Sequence, residues 1–311
     1  MGKIAFIFPG QGAQYAGMGQ QLAQRYAEAD ELFKAASQAL GYDMAELCFE
    51  GPDEMLKQTE ITQPAIFTVS MACAKALELN GIVPDMAAGL SLGEYGALTA
   101  ADAMDFADAV KLLRQRGRFM QEAVPIGQGA MAAIIGLDKE TVEQVCKEAS
   151  EYGVVEPANY NCPGQIVISG QTAAVQKASE MAKEKGAKRA VMLEVSAPFH
   201  CSLLKPAGER LAEVLKGVNI KKPAIPVIAN VTAEEVSEPE DIRRLLIEQV
   251  SSPVRWEESV RAMMEMGADT FIEVGPGKAL SGFVKKISRD VKVMNVDNVQ
   301  SLESALEQLK G

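Results

Sequence analysis

The sequence predicts an α/β protein, and three observations carry that prediction. Short apolar β-type runs alternate with longer helical patterns, two of those runs break into glycine-rich turns, and the middle of the chain reads β-α-β-β-α-β. The first run, residues 3–8, ends in Pro9-Gly10-Gln11-Gly12. Helical patterns then occupy the chain as far as Asn80, where Gly81 supplies a C-terminal stop. Pro84 and Asp85 precede a short strand at 86–88, which runs into Gly89-Leu90-Ser91-Leu92-Gly93 and a further helix.

After Pro125-Ile126-Gly127 the pattern changes. A strand at 130–135, a helix at 139–150, strands at 154–160 and 166–169, a helix at 172–185 and a strand at 189–195 give the split βαβ order of a ferredoxin-like unit. Beyond Pro198 the larger pattern resumes, with strands at 226–230, 270–274 and 291–294. The middle unit therefore reads as an insertion. We expect one large body from 1–125 and 196–311, and a small one from 126–195. Ser91 precedes the insertion and His200 follows it, so a cleft between the two bodies is where they would meet.

Composition removes several function classes. With 311 residues, 48% of them hydrophobic and 23% charged, the chain can bury a large core and is not disordered. A net charge of −11 lacks the field of Lys and Arg that phosphate neutralisation needs, so nucleic acid is not an expected partner. No run approaches the roughly 18 consecutive apolar residues of a membrane span, and the N-terminus lacks signal-peptide features. A cytoplasmic protein is expected. The five cysteines (48, 73, 146, 162 and 201) form no CxxC, which fits small packing residues in a reducing compartment.

Two residues stand out chemically. Gly89 to Gly93 matches GxSxG between a strand and a helix, the setting of a nucleophile elbow at Ser91. A tight turn with an unreactive serine satisfies the same pattern. A serine nucleophile needs a base, and the chain has one histidine, His200, for which a structural role at a helix start is the plain alternative. A single histidine also excludes HExxH zinc chemistry, and no metal site is expected. Ser202-Leu203-Leu204-Lys205 fits SxxK without its companion motifs, and Gly275-Pro276-Gly277-Lys278 misses the Walker spacing. A histidine base predicts that acylation falls on the acid side near the ordinary histidine pKa of about 6.5.

Seven blocks in order resemble the malonyl-CoA:acyl-carrier-protein transacylases of fatty-acid synthesis. They are FPGQGAQ at 8–14, GLSLGEY at 89–95, QRGRFMQEA at 115–123, ANYNCPGQIVISG at 158–170, SAPFHC at 196–201, SSPVRW at 251–256 and EVGPGKAL at 273–280. The resemblance implies an α/β-hydrolase-like core with a parallel sheet, carrying the ferredoxin-like insertion. It implies that Ser91 is the nucleophile and His200 its base, with the backbone carbonyl of Gln249 in place of an acidic third residue. The amides of Gln11 and Leu92 would form the oxyanion hole. Arg116 matches the family's carboxylate-binding arginine, and Phe199 resembles a bulky residue that favours malonyl over branched units. The family's histidine before the nucleophile is Leu90 here, so its polar role would be absent or would fall to Asn159 or Asn161.

The implied reaction is a ping-pong transfer of malonyl from malonyl-CoA, through a Ser91 ester, to the phosphopantetheine thiol of acyl carrier protein. No cofactor is implied. For the acidic carrier, the basic pair Lys285 and Lys286 is the expected docking patch, with Arg289 nearby and Lys185, Lys188 and Arg189 as a second candidate. We expect a monomer. The alternatives are a malonyl acyltransferase of a polyketide pathway, a serine hydrolase or thioesterase, and a non-catalytic carrier-docking protein.

Overall fold

The computed structural model describes residues 2–310. Its strands are β1 (Lys3–Phe8), β2 (Met86–Gly89), β3 (Gly129–Ile135), β4 (Val155–Cys162), β5 (Gln165–Gln171), β6 (Arg189–Met192), β7 (Val227–Ile228), β8 (Glu235–Val236), β9 (Ala268–Val274) and β10 (Lys292–Val296). They form two sheets. A six-stranded sheet has the order β10-β9-β1-β2-β7-β8, and a four-stranded sheet has the order β4-β5-β3-β6.

The larger sheet is parallel except at its edge, where β8 returns antiparallel to β7. Parallel strands need crossover connections, which places helices on both faces and makes each strand apolar on both sides. β1 illustrates this. Phe6 and Phe8 enter one apolar core with Ala87, Ile272 and Val274, whereas Ala5 and Ile7 enter a second with Met86, Ala88 and Phe271. The α/β-hydrolase-like core expected from the sequence is the observed one.

The smaller sheet is wholly antiparallel, with the strand order of the ferredoxin-like unit. One face carries the helices Lys139–Ala149 and Thr172–Glu184 over a core of Ala132, Ile134, Val145, Ile168 and Val175. The opposite face does something else: Met131, Ala133, Ala158 and Val167 pack into the core of the large body.

Two strand expectations need correction. The strand expected at 189–195 stops at Met192, after which a last Leu193 N–H bond to the Met131 carbonyl (2.9 Å) hands the chain over to line a cleft. The strand expected at 226–230 is paired only at Val227–Ile228. Beyond it the Ala229 N–H donates to the Glu234 carbonyl (3.0 Å), turning the chain into β8, an edge strand with no alternating run long enough to announce it. No helix among the described residues is long and apolar enough to cross a membrane.

Candidate active site

The loops that leave the carboxyl ends of β1, β2, β7 and β9 converge at one edge of the parallel sheet, the usual location of sites in such folds. The loops after β1, β2 and β9 line a cleft of about 980 Å³ closed on the other side by the small sheet. Ser91, His200, Gln11, Leu90 and Phe199 line it from the large body, and Met131, Asn159, Asn161 and Val167 from the small one.

Ser91 sits on a sharp turn between β2 and the helix Gly93–Ala100, at φ +55°, a conformation that costs a non-glycine residue energy. The flanking glycines make the turn possible by close approach. A Cβ on Gly89 would lie 1.9 Å from the Gly93 carbonyl, and one on Gly93 would lie 2.2 Å from the Phe8 carbonyl oxygen. His200 is also held at positive φ (+61°), in the loop before the short turn Ser202–Leu204. That loop is pinned from the small sheet: both the N–H (2.7 Å) and the hydroxyl (2.6 Å) of Ser202 donate to the Glu156 carboxylate.

The geometry settles the imidazole tautomer. Nδ1 lies 2.8 Å from the Gln249 backbone carbonyl, which can only accept, so Nδ1 carries the proton. Nε2 is then the bare nitrogen, and it lies 2.7 Å from Ser91 Oγ. A second group reaches the same oxygen, since Arg116 Nη2 donates to Ser91 Oγ at 3.1 Å. Arg116 is 1% exposed on the inner face of the helix Phe106–Ala123, and donates also to the side-chain oxygens of Gln63 (2.8 Å) and Gln249 (2.8 Å).

Burial decides the protonation states. Desolvation, with the Arg116 charge behind it, pushes the His200 pKa down to about 4. The imidazole is therefore neutral, and able to accept a proton, well below the 6.5 expected from the sequence. Desolvation likewise raises the Glu94 carboxyl to about 7 and lowers Arg116.

The other sequence candidates fall into two groups. The N–H groups of Gln11 and Leu92 have no intrachain acceptor among the described residues, so both are free to bind an oxyanion. Asn159 and Asn161 are buried at the cleft wall, and the Asn161 side-chain oxygen has no hydrogen-bond partner there. Leu90 packs its side chain toward Gly10 and adds apolar surface to the cleft lining. Lys285, Lys286 and Arg289 are exposed and do not line the cleft, although the helix Ala279–Ile287 that carries the two lysines contributes Leu280 and Phe283 to it. No group of three or more His, Cys, Asp or Glu among the described residues is placed to hold a metal ion.

Sequence reasoning missed Gln63, Glu94 and Asn230. Glu94 lies inside the quoted GLSLGEY block, where an acidic residue in a helix's first turn ordinarily needs no further explanation. Asn230 carries no spacing signal at all.

Comparison with known proteins bears on the family of the whole chain. Residues 5–304 match the acyl transferase domain family. The malonyl CoA-acyl carrier protein transacylase of Bacillus subtilis (strain 168) is 52% identical over all of this chain and 98% of its own. That of Escherichia coli (strain K12) is 46% identical over 99% of this chain and 100% of its own. Among solved structures, the transacylase of Clostridium perfringens Atcc 13124 superposes with a TM-score of 0.96 at 50% identity, covering 99% of this chain and 97% of that one. A malonyl-transacylase in complex with its type II PKS acyl-carrier protein superposes at 0.96 and 43% identity, covering 98% and 99%. An end-to-end match to the family, at identities near one half with the same fold, makes this chain a member of the malonyl CoA-acyl carrier protein transacylase family.

Proposed function

We propose that this protein moves the malonyl group from malonyl-CoA to the phosphopantetheine thiol of an acyl carrier protein, through an ester on Ser91. The observation that carries the reading is a single hydroxyl approached by two groups: a neutral imidazole nitrogen at 2.7 Å and a buried guanidinium at 3.1 Å. The first activates a nucleophile; the second is a binding site for the free carboxylate that distinguishes malonyl from acetyl.

In the first half-reaction His200 Nε2 takes the Ser91 proton as Oγ attacks the thioester carbon. Negative charge gathers on the carbonyl oxygen, where the N–H groups of Leu92 and Gln11 receive it. The C–S bond breaks, and the CoA sulfur leaves with the proton that His200 held. In the second, His200 takes the proton of the pantetheine thiol, the sulfur attacks the ester carbon, and Ser91 Oγ leaves and regains a proton. Acyl exchange between sulfur and oxygen needs no metal or redox cofactor. It needs water kept away, because an ester open to water hydrolyses. The apolar wall of Leu90, Met131, Val167 and Phe199 supports that requirement.

Around this site we read residues 1–125 and 196–311 as the catalytic body and 126–195 as its cover, acting as a monomer in the cytoplasm. The exposed Lys285 and Lys286 pair is the docking patch for the acidic carrier. Fatty acid synthesis is the pathway we assign; the 43% identical relative bound to a type II PKS carrier favours polyketide assembly as the second reading.

Intact-mass measurement tests the proposal. Mixing with malonyl-CoA should add one malonyl group that maps to Ser91, and adding holo carrier protein should remove it. Ser91→Ala should show no adduct. An adduct elsewhere, or CoA release with no adduct, overturns the reading.

A further inference from the structure

Behind Ser91 lies a buried polar cluster, built on Asn230 and Glu94, whose side chains the reaction as described above does not use. Asn230 is fully buried, and its amide orientation is fixed by backbone groups that have no choice of role. The Ser91 N–H donates to its Oδ1 (2.7 Å), and its Nδ2 donates to the Gly89 carbonyl (2.7 Å), so Asn230 grips the elbow from both sides. Its own backbone N–H donates to Glu94 Oε2 at 3.0 Å.

The same Glu94 oxygen receives Gln249 Nε2 at 2.8 Å, and that amide nitrogen also donates to the Ser91 carbonyl at 3.0 Å. Gln249 is therefore oriented by acceptors: its nitrogen faces a carboxylate and a carbonyl, which leaves its oxygen to face Arg116 Nη2 at 2.8 Å. Turned the other way, the amide would set an oxygen against those acceptors and a donor against a guanidinium, which has only donors. Glu94 itself does not touch Arg116. A direct ion pair would occupy the guanidinium; a neutral amide between them holds it in place and leaves Nη2 able to reach Ser91 Oγ as well.

We infer that Glu94 is a positioning residue that acts through Gln249 to aim the Arg116 guanidinium at Ser91, and so sets the preference for acyl groups that end in a carboxylate. The inference rests on the malonyl-transfer reading above. Its consequence is selective: disorienting Gln249 should harm a substrate that needs Arg116 more than one that does not.

The test is the malonyl-to-acetyl ratio of kcat/KM for acylation from the two CoA thioesters, in the full chain. Glu94→Met fills the space without an acceptor and should lower the ratio about three- to tenfold, the scale of one hydrogen bond. Glu94→Gln keeps an oxygen for both donors and should hold the ratio within about twofold of wild type. Glu94→Asp keeps the charge but shortens the reach by one methylene, so it should lower the ratio, and it decides the matter if the methionine variant does not fold. An equal loss for both substrates in the Met and Asp variants, an unchanged ratio in them, or a ratio in Glu94→Gln as low as theirs, overturns the inference. If wild type transfers no malonyl, the functional reading has failed. If wild type prefers malonyl and Arg116→Ala abolishes the preference while the Glu94 variants retain it, only the role of Glu94 has.

Discussion

The parallel sheet and the antiparallel sheet meet at one cleft but bring different things to it. Ser91, His200, Gln249, Arg116 and the cluster behind them all belong to the large body, joined by hydrogen bonds that leave each polar group one orientation. The small sheet brings Met131, Val167, Asn159 and Asn161, apolar surface and amides without charge. It reaches toward the reacting residues through Glu156, which pins Ser202 two residues past His200. The contrast follows from sheet type. A parallel sheet gathers the loops of several strands at its carboxyl edge, so residues far apart in sequence can be set against each other. An antiparallel sheet with helices on one face offers only its other face, which suits a wall.

If that division is real, substitutions on the two sides of the cleft should fail in different ways. The largest contrast belongs to Arg116. Arg116→Ala removes charge-assisted hydrogen bonds worth about 1.5 to 3 kcal/mol, so malonyl transfer should fall by at least ten- to 150-fold, roughly. Acetyl transfer, which makes no such bonds, should hold or rise, because the pocket no longer contains a buried cation to desolvate. Comparing kcat/KM for the two thioesters checks this. Equal losses would mean that Arg116 holds the fold and does not select the acyl group.

On the opposite wall the expected effect is smaller and of another kind. The Asn161 side-chain oxygen is buried in the cleft wall without a hydrogen-bond partner, so a substrate amide N–H that reached it would satisfy it. Asn161→Ala should raise KM for malonyl-CoA about fivefold, the scale of one neutral hydrogen bond, and leave kcat near wild type. A fall in kcat with KM unmoved would put Asn161 among the reacting groups and break the division between the two sheets.

The same division explains what could be read from the sequence. The small unit was legible almost whole, because antiparallel strands and amphipathic helices of ordinary length show their periods directly; β4 and β5 run one or two residues past the expected ends and β6 stops three short. Ser91 and His200 were legible because glycine spacing and the uniqueness of one histidine are local facts. Gln249, Gln11, Leu92 and Arg116 came from resemblance to a family, since nothing in a backbone carbonyl, an amide or an arginine on a helix marks its direction. Asn230 and Glu94 were not legible. Their roles exist only when β7 lies beside β2, a contact between residues about 140 positions apart that no short pattern encodes. The downward shift of the histidine pKa was not legible for a related reason: burial is a property of the assembled cleft.

The smallest expected effect concerns acid, and it separates the buried network of the large body from an ordinary exposed histidine. For Nε2 to take the Ser91 proton it must be unprotonated, so acylation follows the neutral fraction of His200. At pH 5.5 a histidine of pKa about 6.5 would be roughly one-tenth neutral. With the pKa pushed down to about 4 by desolvation and the Arg116 charge, nearly all of it remains neutral, and the rate should fall less than about twofold between pH 7.5 and 5.5. Stability gives an independent reading of the same shift. Between about 6.5 and 4 the unfolded chain binds a proton at His200 that the folded chain refuses, so this group destabilises the fold as pH falls through that window. Glu94 has the opposite sign: raised to about 7, its folded carboxyl binds a proton before the unfolded one does, which favours the fold below 7 and is lost as pH rises through that value. The two oppose each other over most of pH 4.5 to 6.5. His200→Ala removes one and leaves the other, so between pH 7 and 5 the Tm of the variant should rise relative to wild type by a few degrees, the scale of a 1 to 2 kcal/mol shift in a chain of roughly this size. An acid limb near 6.5 in the acylation rate, together with parallel Tm profiles for the two proteins, would show that water reaches His200 and that its burial does not set its protonation.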